Sequence, residues 1–295
     1  MSWIELEITT SEEHVSDLSE QLSTFGAVAV TLHDGGDRPI LEPTKTTPII
    51  WKKTVIIGLF TNDIELTPIL SYFEQQKTEG TIQELSVKEI ADQDWVRLSL
   101  DTFKPMHFGN RLWVSPSWQT LPKPDAVNVI LDPGLAFGTG THATTSLCLE
   151  WLDQNIQSEK LVIDYGTGSG ILGISALKLG AKQVFAVDND PDALITAREN
   201  GEQNQLFPPA FITYLPNELP EAKADLIIAN ILTQPLLTLA PLFAKLSQPG
   251  GKIVLSGILR VDAEKIFDAY SKNYTMQKPI FKDDWALLVG TRDIN

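Results

Sequence analysis

One stretch of this sequence has the residue types and spacing of a binding corner: Leu161-Val162-Ile163-Asp164-Tyr165-Gly166-Thr167-Gly168-Ser169-Gly170-Ile171. An apolar run leads into an acid, then glycines fill alternate positions, then apolar residues resume. Glycine allows a tight turn and lets a ligand lie against the backbone. A helix starting near Ile171 would offer unpaired N–H groups and the positive end of its dipole to a carboxylate or phosphate. The next apolar run, Phe185-Ala186-Val187, ends at Asp188, 22 residues after Gly166. An acid at that interval is placed to accept hydrogen bonds from a ribose diol. A third polar strand end is Asn230, which closes Asp225-Leu226-Ile227-Ile228-Ala229. Its amide oxygen could hold an amine. The plainer readings are a strand-turn-helix corner without a ligand and a helix-capping asparagine.

Two cofactors suit such a corner, a dinucleotide and S-adenosyl-L-methionine. Gly168, Gly170 and Gly173 spell G-x-G-x-x-G. In the dinucleotide fold, however, the first glycine directly follows the strand, and here Gly166 holds that place. The run Asp164-x-Gly166-x-Gly168-x-Gly170 resembles the pattern of adenosylmethionine-dependent methyltransferases. Asp188, Asp190 and Asp192 with Glu199 imitate a calcium loop, but Ala193 stands where that loop needs glycine. Pro191 and the neighbouring acids fit a helix start instead. Residues 132–146 hold three glycines, four threonines, Phe137 and His142 ahead of a helix. This composition fits a lid with Phe137 at its centre or simply a mobile loop. A catalytic role for His142 is left open, and Cys148 reads as a packed helix residue.

The elements that must position these residues fall into two patterns. At 295 residues the chain has room for two domains. Residues 1–90 repeat one scheme. Ile4, Leu6 and Ile8 alternate with acids as a half-buried strand, Thr10 and Glu13 have capping-box spacing, and Val15, Leu18, Leu22 and Phe25 recur at helical intervals up to Gly26. Strands follow at 28–32 and 55–59, a helix around Leu66–Phe73 and a weaker strand over Ile82–Val87. This β-α-β, loop, β-α-β order predicts a ferredoxin-like α+β domain. A linking helix is expected over 91–104, closed by Pro105. From 105 to 295, strands near 161–165, 183–188, 225–229 and 252–256 alternate with helices near 142–155, 171–179, 191–203, 234–246 and 262–270. That alternation predicts a doubly wound, mostly parallel α/β sheet. A hairpin over 274–281 and 285–291 would add an antiparallel strand.

Composition narrows the function classes. The net charge is −15, and residues 1–90 carry 6 basic and 15 acidic side chains, a net of −9. A chain this acidic lacks the broad basic face that grips nucleic acid, so direct nucleic-acid binding is not expected. The acidic domain is either a solvated surface or a docking face for a basic protein. One cysteine excludes an internal disulfide and a cysteine metal cluster, and no metal is expected. No signal peptide and no apolar run of membrane-spanning length stand out, so a cytoplasmic protein is expected.

The segment Asp132 to Thr145, DPGLAFGTGTHATT, resembles the signature of the bacterial methyltransferases that modify large-subunit ribosomal protein L-eleven (L11). Phe108–Val114, Asp164–Leu172, Asn230-Ile231-Leu232 and Asp284-Trp285 are similar to that family too. The likeness spans essentially the whole chain. It implies a class I methyltransferase domain with a Rossmann-like, seven-stranded sheet, and a ferredoxin-like domain that presents the substrate. It implies methyl transfer from S-adenosyl-L-methionine to lysine side-chain and N-terminal amines of ribosomal protein L-eleven, by a protein expected to be a monomer. By motif position it implies cofactor contacts at Thr145, Gly166, Asp188 and Asn230; the glycine-loop reading adds Gly168 as a cofactor contact, and the strand-end reading makes Asn230 the expected catalytic residue, holding the amine. The competing readings are a nicotinamide-dependent oxidoreductase, a non-catalytic module that binds a basic protein, and an adenosylmethionine enzyme for a small amine.

Overall fold

The computed structural model describes residues 3–36, 50–90, 103–132, 142–156 and 160–294. The chain divides into two compact units, Met1–Leu98 and Ser99–Asn295.

In the first unit the strands are β1 (Trp3–Ser11), β2 (Ala29–Asp34), β3 (Lys53–Thr61) and β4 (Ile82–Ile90). Helix α1 (Val15–Thr24) lies between β1 and β2 in sequence, and α2 (Leu66–Thr78) between β3 and β4. The sheet order is β2-β3-β1-β4 and every pairing is antiparallel. This is the ferredoxin-like arrangement. The period-2 pattern explains it: Ile4, Leu6 and Ile8 pair with Phe60, Gly58 and Ile56, and these side chains form one face. That face packs against Val15, Leu18, Leu22, Ile69 and Phe73 of the helices. A Cβ on Gly58 would come within 2.9 Å of Leu22, so glycine there lets the Leu22 side chain of α1 lie against the sheet. The capping box expected from Thr10 and Glu13 does not form. Thr10 belongs to β1, and its hydroxyl donates to the Thr81 carbonyl at 2.7 Å. Strand pairing takes the residue that local spacing would give to a cap. β4 runs nine residues, more than its weak alternation foretold. The expected linking helix falls on residues outside the described set, apart from Phe103 and Lys104, which are not helical.

The second unit opens with a small three-stranded sheet that periodicity missed: β5 (Met106–Phe108), β6 (Leu112–Ser115) and β7 (Val127–Ile130). Then follow α3 (Ala143–Asn155), β8 (Leu161–Tyr165), α4 (Ile171–Lys178), β9 (Gln183–Val187), α5 (Pro191–Gln203), β10 (Phe211–Tyr214) and β11 (Ala224–Asn230). The chain ends with α6 (Thr233–Leu246), β12 (Ser247–Leu259), α7 (Ala263–Tyr270), β13 (Tyr274–Met276), β14 (Ile280–Lys282) and β15 (Trp285–Arg292). The main sheet has the order β10-β9-β8-β11-β12-β15-β13, with β14 pairing on β15. β8 to β12 are parallel, and β15 is antiparallel to β12, β13 and β14. Seven strands on one path with the reversed strand in sixth position is the class I methyltransferase sheet. The expected closing hairpin is more elaborate, because β15 inserts between β12 and β13. β10 was not foreseen.

Both faces of the main sheet are covered, which is why its central strands read as continuous apolar runs. One face, with Val162, Ile228 and Val254, packs on α3, α4 and the small sheet. The other, with Ile163, Ile227 and Ile253, packs on α6 and α7. Parallel strands send their carboxyl ends to one rim. That rim is where the reversal of strand order between β8 and β11 opens a crevice.

Candidate active site

The glycine loop is held open by its neighbours. Gly166, Gly168 and Gly170 have φ of 78°, 52° and 83°. These left-handed values are unfavourable for a residue with a Cβ. At Gly166 a Cβ would also lie 2.2 Å from Cγ2 of Ile231, so the β8 and β11 ends approach closely only because this residue is glycine. Gly173, one turn into α4, leaves room for Val184 and for the Asp164 carboxylate. The loop amides are already engaged. Gly166 and Thr167 N–H groups donate to the Val187 carbonyl at 2.7 and 3.0 Å, and Gly170 N–H donates to the Thr167 carbonyl at 2.8 Å. Gly168 N–H donates to Asp188 Oδ2 at 2.9 Å.

Two carboxylates brace this loop. Asp164 is fully buried and accepts from Thr167 Oγ1 at 2.7 Å and from Gly173 N–H at 2.9 Å, both on Oδ2. Its Oδ1 has no hydrogen-bond partner among the described residues. Burial pushes the carboxyl up to about 6, against the two hydrogen bonds and assisted by the charge of Asp188. Asp188 accepts from Gly168 through Oδ2 and from Asp190 N–H through Oδ1 at 3.1 Å. Each oxygen keeps a lone pair for a further donor. Asp190 is the N-cap of α5, accepting from Asp192 N–H at 3.0 Å. These acids therefore serve the backbone, as the helix-start reading expected. From α5, Asn200 Nδ2 donates to the Ser169 carbonyl at 2.8 Å and fixes the far side of the loop.

Asn230 ends β11 opposite the loop. Its Nδ2 donates to Thr145 Oγ1 at 3.2 Å, joining residues 85 apart in sequence. Thr145 lies in the first turn of α3, whose N-cap is His142. The His142 ring accepts from Thr144 N–H at 3.4 Å, contacts Thr144 Oγ1 at 2.7 Å and packs edge-on against Trp285 at 4.8 Å. Thr145, Gly166, Thr167, Gly168, Asp188, Asn189, Asn230 and Ile231 line one cleft. The five residues chosen from sequence thus meet in one place. A different cavity, lined by Lys160, Asp225, Gln248 and Lys252, lies at the amino ends of β8 and β11, away from this chemistry.

The flanks of the glycine- and threonine-rich segment are tied down. Asp132 accepts from Ser117 N–H and Oγ at 2.6 and 2.8 Å and from Gln203 Nε2 at 2.8 Å. Phe137, the expected lid centre, lies outside the described residues. Cys148 is buried as expected, and burial pushes its thiol up. The Phe108–Val114 motif has a structural reason. Buried Asp153 of α3 accepts from Asn110 and Arg111 N–H groups at 2.6 and 3.2 Å, and a Cβ on Gly109 would clash with it. Sequence reasoning passed over Asp164 and Asn200 as bracing residues. The signal for Asp164 was a charged residue inside an apolar run; Asn200 gave none.

The family model described as "Ribosomal protein L11 methyltransferase (PrmA)" matches residues 2–293. A protein of Shewanella amazonensis named ribosomal protein L11 methyltransferase is 45% identical over 293 residues, covering 99% of each chain. One of the same name from Marinobacter nauticus is 45% identical over 295 residues, again 99% of each chain. The crystal structure of a ribosomal protein L11 methylase from Lactobacillus delbrueckii subsp. bulgaricus superposes with a TM-score of 0.59 at 32% identity, covering 65% of this chain and all of that one. Sheet order, glycine loop and whole-length similarity agree: the chain belongs to the ribosomal protein L11 methyltransferase family.

Proposed function

We propose that this protein transfers methyl groups from S-adenosyl-L-methionine to lysine side-chain and N-terminal amines of ribosomal protein L11. We place it in the cytoplasm as a monomer that does not bind nucleic acid directly. The observation that carries the reading is the convergence of the glycine loop, Asp188 and Asn230 on one cleft at the carboxyl rim of the sheet. The residues fit the cofactor: Gly166 and Gly168 bring backbone without side chains to the cleft wall, and Asp188 keeps acceptor capacity at its edge.

When bound, S-adenosyl-L-methionine supplies a methyl group already activated by a sulfonium, so the protein's task is mainly alignment. In this reading Gly166 and Gly168 let the methionine part lie against the backbone. Asp188 accepts from the ribose hydroxyls. Asn230 Oδ1 accepts an N–H of the acceptor amine, which turns the nitrogen lone pair toward the donor. The amine must be neutral to attack. A free lysine has a pKa of about 10.4, and removal from water in the cleft favours loss of its proton. The acidic ferredoxin-like unit, net −9 over residues 1–90, suits the docking of a basic ribosomal protein.

The test is to titrate the protein calorimetrically with S-adenosyl-L-methionine, then incubate it with labelled cofactor and ribosomal proteins and map the label by mass spectrometry. Label on L11 amines is the expected result. Absence of binding in folded protein, or label confined to small amines, would overturn the proposal.

A further inference from the structure

Beyond Asn230 the carboxyl rim exposes apolar side chains that the cleft does not use. Leu232 is 47% exposed, Val261 85% and Phe281 42%. Single exposed apolar residues need no explanation, but these three stand on adjoining strand ends. Leu232 follows β11 and leads into α6, Val261 lies in the 3-10 turn Arg260–Asp262 that follows β12, and Phe281 is in β14.

Pairing and packing bring them to one side of the sheet. Phe281 is opposite Ala286 of β15, which is opposite Ile258 of β12. Directly opposed side chains share a face, and Ala286 and Ile258 belong to the core beneath α6 and α7. The Ile231 backbone lies against Gly257, where a Cβ would come within 2.5 Å of the Ile231 carbonyl, so Leu232 leaves β11 beside the end of β12. Arg260 locks the remaining edge. Its guanidinium sits 4.3 Å from the Phe281 ring centroid and donates to the Asp283 carbonyl through Nε and Nη2 at 3.2 and 2.6 Å. Its N–H donates to the Asp284 carbonyl at 2.7 Å. Val261 and Phe281 are thus held on either side of one fixed arginine, and Asp283 and Asp284 expose their carboxylates beside them.

We infer that Leu232, Val261 and Phe281 form an apolar shelf that binds the stretch of substrate protein next to the target amine, and that with Asp283 and Asp284 it selects a segment carrying both apolar and basic residues. This inference rests on the methyl-transfer reading of the cleft. The occupant follows from position. Asn230 is in register with Ser256 of β12, and Val261 lies five residues further along, at most about 18 Å of extended chain. Six extended residues span about 20 Å. A protein that delivers an amine to Asn230 therefore lays the neighbours of that amine across this rim. The aspartates complement a basic partner, and the one arginine among them is already taken by Phe281 and a carbonyl. A small amine would leave the shelf uncovered.

The test uses the full chain. Val261→Ser, Phe281→Ser and their double variant remove the shelf without touching the cleft. Asp283→Asn/Asp284→Asn removes the charge, and asparagine tolerates the left-handed φ of 53° at Asp283. Ile195→Ser on α5, where the side chain is 48% exposed, is the control. Each protein is measured for thermal unfolding, for S-adenosyl-L-methionine affinity by calorimetry, for kcat and KM with L11, and for self-association by sedimentation at several concentrations. We expect each shelf variant to raise KM for L11 about fivefold or more, the scale of truncating an interface anchor. Their kcat and cofactor affinity should stay within about twofold of the parent, the pattern of lost ground-state binding. The asparagine variant should raise KM about threefold at low salt and less at high salt. Ile195→Ser should match the parent. KM within about twofold of the parent in the double shelf variant, or an equal rise in Ile195→Ser, would overturn the inference. So would a dimer of the parent that Val261→Ser dissolves, which would give the shelf to a second copy of the chain. An asparagine variant unchanged at low salt would overturn the selection for basic residues. If the double variant does not fold, the single variants decide by the same criteria. A parent protein that leaves L11 unmethylated would instead overturn the reading of the cleft.

Discussion

Replacing Gly166 by alanine tests the packing of the cleft at its tightest point. Two penalties combine. A residue with a Cβ at φ 78° pays the left-handed cost of about 1–2 kcal/mol. The added carbon would also sit 2.2 Å from Ile231 Cγ2. Ile231 is β-branched and has few alternative rotamers, so the clash is relieved by displacement, at about 1–3 kcal/mol. Ile231 is only half-buried and can shift partly outward, so a total of about 2–4 kcal/mol is expected. The two terms separate in a double-mutant cycle. Ile231→Ala in the Gly166→Ala background removes the steric part and leaves the backbone part, giving a favourable coupling of about 1–2 kcal/mol. Urea unfolding of the four proteins, followed by circular dichroism, supplies the stabilities, and calorimetry reports the cofactor affinity. Gly166→Ala within about 0.5 kcal/mol of the parent, or additivity of the two changes within that margin, would refute the reasoning.

Three further outcomes are expected. Asp188→Ala should weaken cofactor binding by at least tenfold while the fold survives, since the residue is at the surface of the cleft; an unchanged calorimetric titration would remove it from the site. Asn230→Ala should reduce kcat far more than stability, and near-normal turnover would deny it the acceptor role. Asp164, raised from 3.8 to about 6, holds its proton more tightly folded than unfolded; its contribution is therefore greatest below pH 4 and is lost as pH rises to about 6, by about 3 kcal/mol. Asp164→Asn keeps an acceptor for Thr167 and Gly173 without the charge, so its stability should fall less than the parent's between pH 4 and 6. Parallel urea-midpoint curves for the two proteins over that range would contradict the burial argument.

What the sequence revealed, and what it hid, follows from the range of the interactions. β8, β9 and β11 are buried on both faces and flanked by amphipathic or apolar helices, so their short apolar runs and spacing were legible. So was the alternation of β1 and β3, where one face is covered. The glycines and Asp188 were legible because backbone conformation and strand-end placement are local demands. The small sheet of β5, β6 and β7 was not, since its strands have three or four residues and lie among prolines and polar turns. β10, four residues long, failed for the same reason. Thr10 looked like a cap because only its neighbours in sequence were visible, while its partner, Thr81, is 71 residues away. The Thr145–Asn230 and Gly109–Asp153 contacts also join distant segments, and no periodicity encodes them.

The contest between a dinucleotide and a sulfonium cofactor turns on where the loop amides go. A pyrophosphate at such a corner is held by several free N–H groups and the helix dipole. In this chain the amides of Gly166, Thr167, Gly168, Gly170 and Gly173 already donate to protein acceptors. Two of those bonds end on carboxylates, Asp164 of β8 and Asp188 at the end of β9, which flank the loop. A second anion placed here would face like charge and find few donors. A cationic sulfonium with its ammonium group meets the opposite conditions: attraction to Asp188 and glycine surface to lie against. Glycines spaced for a phosphate loop therefore have a different use once their N–H groups are taken. The acids that take those groups, rather than the glycine spacing, favour a positively charged donor.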